Sequence, residues 1–276
     1  MKLDLSAAWD GAMKMLAANR EMVLVLAGVF FLVPYLAFSL FLPDPMAQAG
    51  AAGAEPDMDA MSAQIVAFYA ESWWALLLLS LIQSVGAIAV LTVLGDGERP
   101  TVGEAVGRGV RLLPTQFAAQ ILAGLAAFAP VILLIGIGAA SGSPPIAIVL
   151  GLLGVPIGLY LIVKFSMSSP AIAIERVINP IAALRRSWHL TKGNSFRLFA
   201  FYLLLVIAFL IVSAIVSLIG GLVFALGGEH AALIGNGIVA ALINAGFACV
   251  AYAVLASLHK RLAAPSPSVP ATHRED

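Results

Sequence analysis

Five basic side chains fall in one polar stretch, 169–199: Arg176, Arg185, Arg186, Lys192 and Arg197, a third of the 15 in the chain. Very apolar segments flank it on both sides. Guanidinium and ammonium groups at this density are suited to holding phosphate oxygens. Trp188 lies among them, and an indole ring favours the boundary between membrane and water. The chemistry on offer is capture of lipid phosphates, to which each basic residue at a membrane surface contributes about 1 kcal/mol. The same charges have a second use, because Lys and Arg on one side of a membrane protein set its orientation. Both readings stand, since they use the same residues. Glu175 is the only acid in the stretch. A catalytic carboxylate needs a second acid or a metal-binding group beside it. None is close in sequence, so the expected role is an ion pair with Arg185 or Arg186.

Other chemistry is sparse. The polar residues inside apolar segments are Gln83, Gln120, Asn236 and Asn244, with scattered Ser and Thr. Asn236 and Asn244 are eight apart and share a helix face. With Gln83 they could line a polar path; the plainer expectation is hydrogen bonding between helices, at about 0.6 kcal/mol each. No charged residue falls at mid-membrane, where coupled transporters usually carry one. Met46, Met58 and Met61 stand near Asp57 and Asp59, but too loosely for a soft-metal site. The four His are dispersed and suggest no metal centre. Cys249 is alone, so neither a disulfide nor a Cys-x-x-Cys motif is possible. No phosphate-binding loop, nucleophile elbow or zinc-protease motif occurs. No cofactor is expected, and nothing points to nucleic acid.

The elements that must position these residues are membrane helices. The chain is 61% hydrophobic and 11% charged, with a mean hydropathy of +1.01. Soluble domains are about 45–50% apolar and about 25% charged. Apolar runs at 22–42, 73–94, 117–140, 146–163, 198–226 and 231–258 approach or exceed the roughly 20 residues that cross a bilayer as helix. The N-terminus is amphipathic rather than signal-like, so the first run is expected to stay as an anchor. All 15 Lys and Arg fall on one side of this layout. The intervening loops 43–72, 141–145 and 227–230 have none, and carry Asp44, Glu55, Asp57, Asp59, Glu71 and Glu229. Both termini are therefore expected in the cytoplasm, with Trp73 and Trp74 at the opposite interface.

Each basic segment precedes a pair of spans and reads as a short amphipathic helix. In the first, Leu5, Ala8, Trp9, Ala12, Met13 and Leu16 share a face. The second opens on a capping box, Thr101 to Glu104, with Val102, Ala105, Val106, Gly109 and Leu113 on its apolar side. The third starts at Asn179-Pro180, a cap followed by a proline in the first helical position. Ile181, Leu184, Trp188 and Thr191 are expected on its apolar face, and Arg185, Arg186, His189 and Lys192 on the other. The helices are expected to end at Asn19, Thr115 and Asn194. Residues 65–69 suggest a further short interfacial helix before Trp73. The reading is a single all-α membrane domain over 1–262. It comprises three units of amphipathic helix plus transmembrane hairpin, at about 1–72, 96–145 and 169–258, and a disordered cytoplasmic tail, 263–276.

The third unit carries a resemblance. Ser169-Pro170-Ala171-Ile172, Glu175, Asn179-Pro180-Ile181-Ala182-Ala183-Leu184-Arg185-Arg186-Ser187-Trp188 and Leu190-Thr191-Lys192-Gly193-Asn194 are together similar to the membrane domain of some bacterial glycerophosphoryl diester phosphodiesterases. The six-span layout is similar too, although the specific part is about 169–197. In fused members catalysis lies in a separate soluble barrel. The resemblance therefore implies a stand-alone membrane domain of the bacterial inner membrane, without that catalytic domain. The residues after Leu258 form only a short polar tail, so a non-enzymatic protein is expected. It would engage anionic lipid headgroups, or partner proteins of unknown kind, through Arg176, Arg185, Arg186, Trp188, Lys192 and Arg197. The alternative is a transporter or channel for a small or lipidic solute, and a membrane-embedded lipid enzyme is a third reading.

Overall fold

The computed structural model describes residues 4–42, 58–95 and 100–264. Lys2, Arg99, Arg274, most of the acidic loop with Met46, and the expected disordered tail from residue 265 lie outside the described residues. Every regular element among the described residues is helical. They run α1 (Leu5–Ala18), α2 (Arg20–Ala27), a π-helical turn (Gly28–Leu32), α3 (Val33–Phe41), α4 (Met58–Gly95), α5 (Val102–Ala140), α6 (Pro144–Phe165), α7 (Ser168–Ala173), α8 (Pro180–Leu190), α9 (Ser195–Ala225) and α10 (Glu229–Ala263). Among the described residues six stretches are long and apolar enough to cross a membrane: Arg20–Phe41, Ala60–Gly95, Val102–Ala140, Pro144–Ala173, Ser195–Ala225 and His230–Ala263. The chain is an all-α, polytopic membrane protein.

Local chemistry explains where the helices start and stop. Asp4 accepts from the N–H of Ala7 and caps α1. At Thr101 the capping box is complete. The Thr101 N–H donates to Glu104 Oε2 at 2.8 Å, and the Glu104 N–H to Thr101 Oγ1 at 3.3 Å. Asn179 Oδ1 accepts from the N–H groups of Ile181 and Ala182, with Pro180 next. Asn19 and Asn194 interrupt the chain in nearly the same conformation, φ −120° and ψ 19° against φ −121° and ψ 6°. Gly193, at φ 80°, helps the second break, because a left-handed residue there carries no Cβ penalty.

Two expected boundaries are not found. The second amphipathic helix does not end at Thr115 but continues into the third span as one 39-residue helix. Neither Asn nor Gly is available there to leave the helical region, and Pro114 removes one N–H without forcing a stop. Residues 65–69 likewise belong to α4, whose 38 residues are about 57 Å long. That exceeds a hydrocarbon core of about 30 Å, so α4 extends beyond the bilayer. In the first span, Pro34 follows the π-helical turn closely. Asn244 Nδ2 on α10 donates to the Phe31 carbonyl in that turn at 3.4 Å.

The large buried side chains gather at the end of the bundle that carries the basic segments. Ile88, Val90 and Leu91 of α4 lie at its centre. Around them are Leu26 and Phe31, Leu112, Met167 and Ile172, Leu198, and Val254 and Leu258. Helix α1 is docked on the end of α10. Ser257 Oγ donates to the Ala8 carbonyl at 2.7 Å, and Arg261 Nη2 to that of Ala7 at 2.6 Å. Towards the other end the contacts are made by small residues, as is usual between membrane helices. On α6, Gly151, Gly154 and Gly158 are buried against α5. A Cβ on Gly154 would stand 2.7 Å from Val131 Cα, and one on Gly158 would stand 2.6 Å from the Ala127 carbonyl oxygen.

Backbone atoms cannot yield as a flexible side-chain tip can. Gly154→Ala and Gly158→Ala should therefore each destabilise the protein by about 1–3 kcal/mol. Gly124 and Gly136 of α5 have open space where a Cβ would go, so Ala there should be neutral or stabilising by up to about 1 kcal/mol. Thermal unfolding of the four variants in one detergent checks the contrast.

Candidate functional site

The stretch after α6 is buried and only partly helical. Met167, Ala171, Ile172 and Ala173 are fully covered. Buried backbone needs partners, and neighbouring side chains supply them. Ser187 of α8 accepts from the Met167 N–H at 3.0 Å and donates to the Lys164 carbonyl at 2.6 Å. Thr115 Oγ1 on α5 donates to the Ile178 carbonyl at 2.7 Å, and Gln116 Nε2 to Ser169 Oγ at 2.8 Å. Thr115 was expected to end a helix; instead it holds this loop. Arg176 has φ 60°, in the left-handed region uncommon for residues other than Gly, and turns the chain beside Glu175.

Glu175 is a three-element junction. Arg186 of α8 is its partner, and Arg185 is exposed instead. Arg186 Nε donates to Oε2 at 2.8 Å and Nη2 donates to Oε1 at 2.9 Å, a two-pronged contact that also fixes direction. His259, at the end of α10, places Nε2 2.8 Å from Glu175 Oε1. A carboxylate only accepts, so Nε2 carries the hydrogen in this contact. The His259 side chain is only 4% exposed. Burial works to raise the Glu175 pKa, but the hydrogen bonds from Arg186 and His259, with attraction to both, outweigh it. The carboxyl is held below its ordinary value. The same pairing raises the Arg186 pKa.

The side chains expected to hold lipid separate into two groups. Arg186 is committed to Glu175, which the local sequence hinted at. Arg185 and Lys192 are exposed, Arg176 is exposed, and Arg197 is half-buried. The face of α8 that meets the core is Ala183, Ser187 and Leu190, followed by Thr191, rather than Ile181 and Trp188. Small residues let α8 approach its neighbours closely. Trp188 lies at the edge, with its ring perpendicular to that of Tyr160 at 6.1 Å and Lys164 Nζ 4.9 Å from its ring centre. Lys164 itself is only 3% exposed.

Two cavities adjoin this region. One, of about 710 Å³, lies between the ends of α6 and α9 and is lined by Tyr160, Lys164, Lys192, Ser195, Phe196 and apolar neighbours. The other, of about 420 Å³, is lined by Gln120, Ser166, Ser168, Ser169 and Tyr202 at a polar patch and otherwise by apolar groups of α5, α6, α9 and α10. Tyr202 donates to Ser166 Oγ at 3.1 Å, and Ser84 donates to Gln120 Oε1 at 3.0 Å. The intramembrane amides are not assembled into one path. Gln120 lines the smaller cavity, Gln83 is half-buried on α4, Asn236 is exposed, and Asn244 is engaged with the first span. Among the described residues no group of three His, Cys, Asp or Glu side chains is arranged to hold a metal. Sequence reasoning missed His259 as the partner of Glu175 and missed Lys164. The one available signal was Lys164 itself, a lysine at the very end of an apolar run.

Removing the Glu175 carboxylate leaves a buried imidazole and a guanidinium without their acceptor. Glu175→Ala should destabilise the protein by about 1–3 kcal/mol. Because the Glu175 pKa is lower folded than unfolded, its contribution is complete above the ordinary carboxylate pKa and is lost as pH falls through the folded value. The difference in melting temperature between wild type and Glu175→Gln should narrow as pH is lowered from about 7 to below about 4.

Comparison with known proteins gives one match. Residues 142–262 fit the family model for the membrane domain of glycerophosphoryl diester phosphodiesterase. The matched region spans α6 to nearly the end of α10 and includes Lys164, Glu175, Arg186 and His259. No curated protein and no solved structure matches the chain. The match is to the membrane domain, and the catalytic domain of that enzyme is no part of it. Residues 142–262, which hold the last three of the six spans, match the membrane-domain family of glycerophosphoryl diester phosphodiesterase.

Proposed function

We propose that this integral membrane protein engages anionic lipids through its basic end, without catalysis of its own, and that it sits in a bacterial inner membrane with both termini cytoplasmic. One observation carries the reading: the short surface around α8 exposes large apolar groups beside its cations. Ile178 is 74% exposed, Phe196 is 82% exposed, and Ile181 and Trp188 are exposed beside Arg185. In water such groups would be covered; at a membrane boundary they enter the acyl region while the guanidinium stays among the phosphates. The Glu175 junction supports this arrangement by fixing α8 against α10, so the exposed face is rigid. A partner protein could use the same face, but the alternation of cations with lone apolar side chains suits a lipid surface better.

A second reading, carriage of a lipidic solute, is favoured by the smaller cavity. Its polar patch of Gln120, Ser166, Ser169 and Tyr202 faces otherwise apolar walls. Gln120→Leu should reduce solute flux in proteoliposomes if this reading holds and leave it unchanged if it does not.

The lipid reading is tested by purifying the protein from native membranes and quantifying co-purified phosphatidylglycerol against phosphatidylcholine. Loss of one surface cation is worth about 1 kcal/mol, so Arg185→Gln should lower the anionic preference roughly fivefold. An unchanged preference in a correctly inserted variant would reject the proposal.

A further inference from the structure

The larger cavity has a chemical gradient along its length. At one end are Lys164, Lys192 and Ser195; beyond them the wall is Pro156, Leu159 and Phe199. Pro156 and Lys164 are eight residues apart on α6, about 12 Å along the helix. No acidic residue lines the cavity. Lys164 is the more telling of the two cations. It is only 3% exposed, and among the described residues it has no carboxylate partner. Its ammonium group is held by rings alone, 5.5 Å from the centre of Tyr160 and 4.9 Å from that of Trp188. Aromatic faces offset only part of the cost of removing a cation from water. A site of this kind is completed by an anion.

The backbone adds to the same end. Gly193, Ser195 and Phe196 line the cavity where α9 begins, and the Asn194 side chain makes no capping hydrogen bond to that first turn. The N-terminus of a long helix presents free N–H donors and the positive end of its dipole. Phe196, mostly exposed, forms part of the mouth, and Leu159 and Tyr160 are also exposed, so the apolar wall faces the region where acyl chains lie. A volume of about 710 Å³ is within the range of small-molecule sites.

We infer that this cavity binds a single anionic phospholipid from the leaflet on the basic side. Its phosphate sits between Lys164, Lys192 and the first turn of α9, and an acyl chain lies against Pro156, Leu159 and Phe199. The inference rests on the lipid reading above and sharpens it from a surface preference to a one-molecule site. Charge complementarity requires the negative group, and the apolar wall requires the chain, which a soluble phosphate lacks.

Native mass spectrometry of the full chain tests it, with phosphatidylglycerol, phosphatidylcholine and inorganic phosphate as probes. Wild type should retain one phosphatidylglycerol in preference to phosphatidylcholine, and excess inorganic phosphate should not displace it. Lys164→Gln with Lys192→Gln should weaken that one-lipid peak at least about tenfold. Lys192→Gln alone alters only an exposed residue, so it keeps the test decisive if the double variant does not fold; about fivefold weakening is expected. Arg185→Gln should leave the one-lipid peak in place. Equal retention in the lysine variants would overturn the site, as would equal binding of phosphatidylcholine. Displacement by inorganic phosphate would instead mark a soluble-anion site and overturn the lipid assignment. If Arg185→Gln reduces overall anionic preference while the lysine variants do not change the peak, the site falls and the broader reading stands.

Discussion

Backbone that leaves a helix inside a packed layer has to be given hydrogen-bond partners, and the chain between α6 and α8 imposes that requirement on everything around it. One hydroxyl, Ser187 Oγ, serves both the Lys164 carbonyl and the Met167 N–H. Thr115 reaches in from α5, and Glu175 ties the far side of the loop to α8 and to the end of α10. These contacts join spans three, four and six through one short segment. They also set the position of Lys164, whose carbonyl is one of the anchored groups. The rim of the larger cavity is thus fixed by the same bonds that satisfy the loop.

Much of the architecture was legible in the sequence because membrane helices announce themselves by length and apolarity, and caps by a few polar residues. The Thr101–Glu104 box, the Asn179-Pro180 start and the breaks at Asn19 and Asn194 are local chemistry, and local chemistry is readable. Thr115 was misread because its resemblance in position to the two asparagines hid a difference in conformational freedom. Glu175 and His259 are 84 residues apart in sequence, and no periodicity links them. The faces of the spans were least legible. A residue that points to lipid and one that points to another helix are both apolar, so the binary pattern that marks a soluble helix is absent. In α9, only Leu198 and Phe201 are buried, and nothing in its composition separates them from the rest.

The distribution of cations also changes meaning once geometry is available. As a set, the basic residues fall on one side of the six-span layout. Individually, Arg186 is a structural brace, Arg185 is a surface charge, and Lys164 is an enclosed cation facing a cleft. Residues of like charge close together in the chain carry different work because their neighbours differ: a carboxylate for one, solvent for another, and aromatic rings for the third.

The two ends of the bundle are held together in different ways, and the difference has a thermal consequence. At the basic end, leucine, isoleucine, valine and phenylalanine side chains are gathered beside the aqueous boundary, where association draws on release of water from apolar surface. That driving force fades on cooling. Along α5 and α6 the glycines bring backbones together within lipid, where no such release occurs and dispersion dominates. Cooling is therefore expected to weaken the end that carries the termini while leaving the glycine-lined hairpin unaffected, so that the two regions of one chain differ in their response to cold.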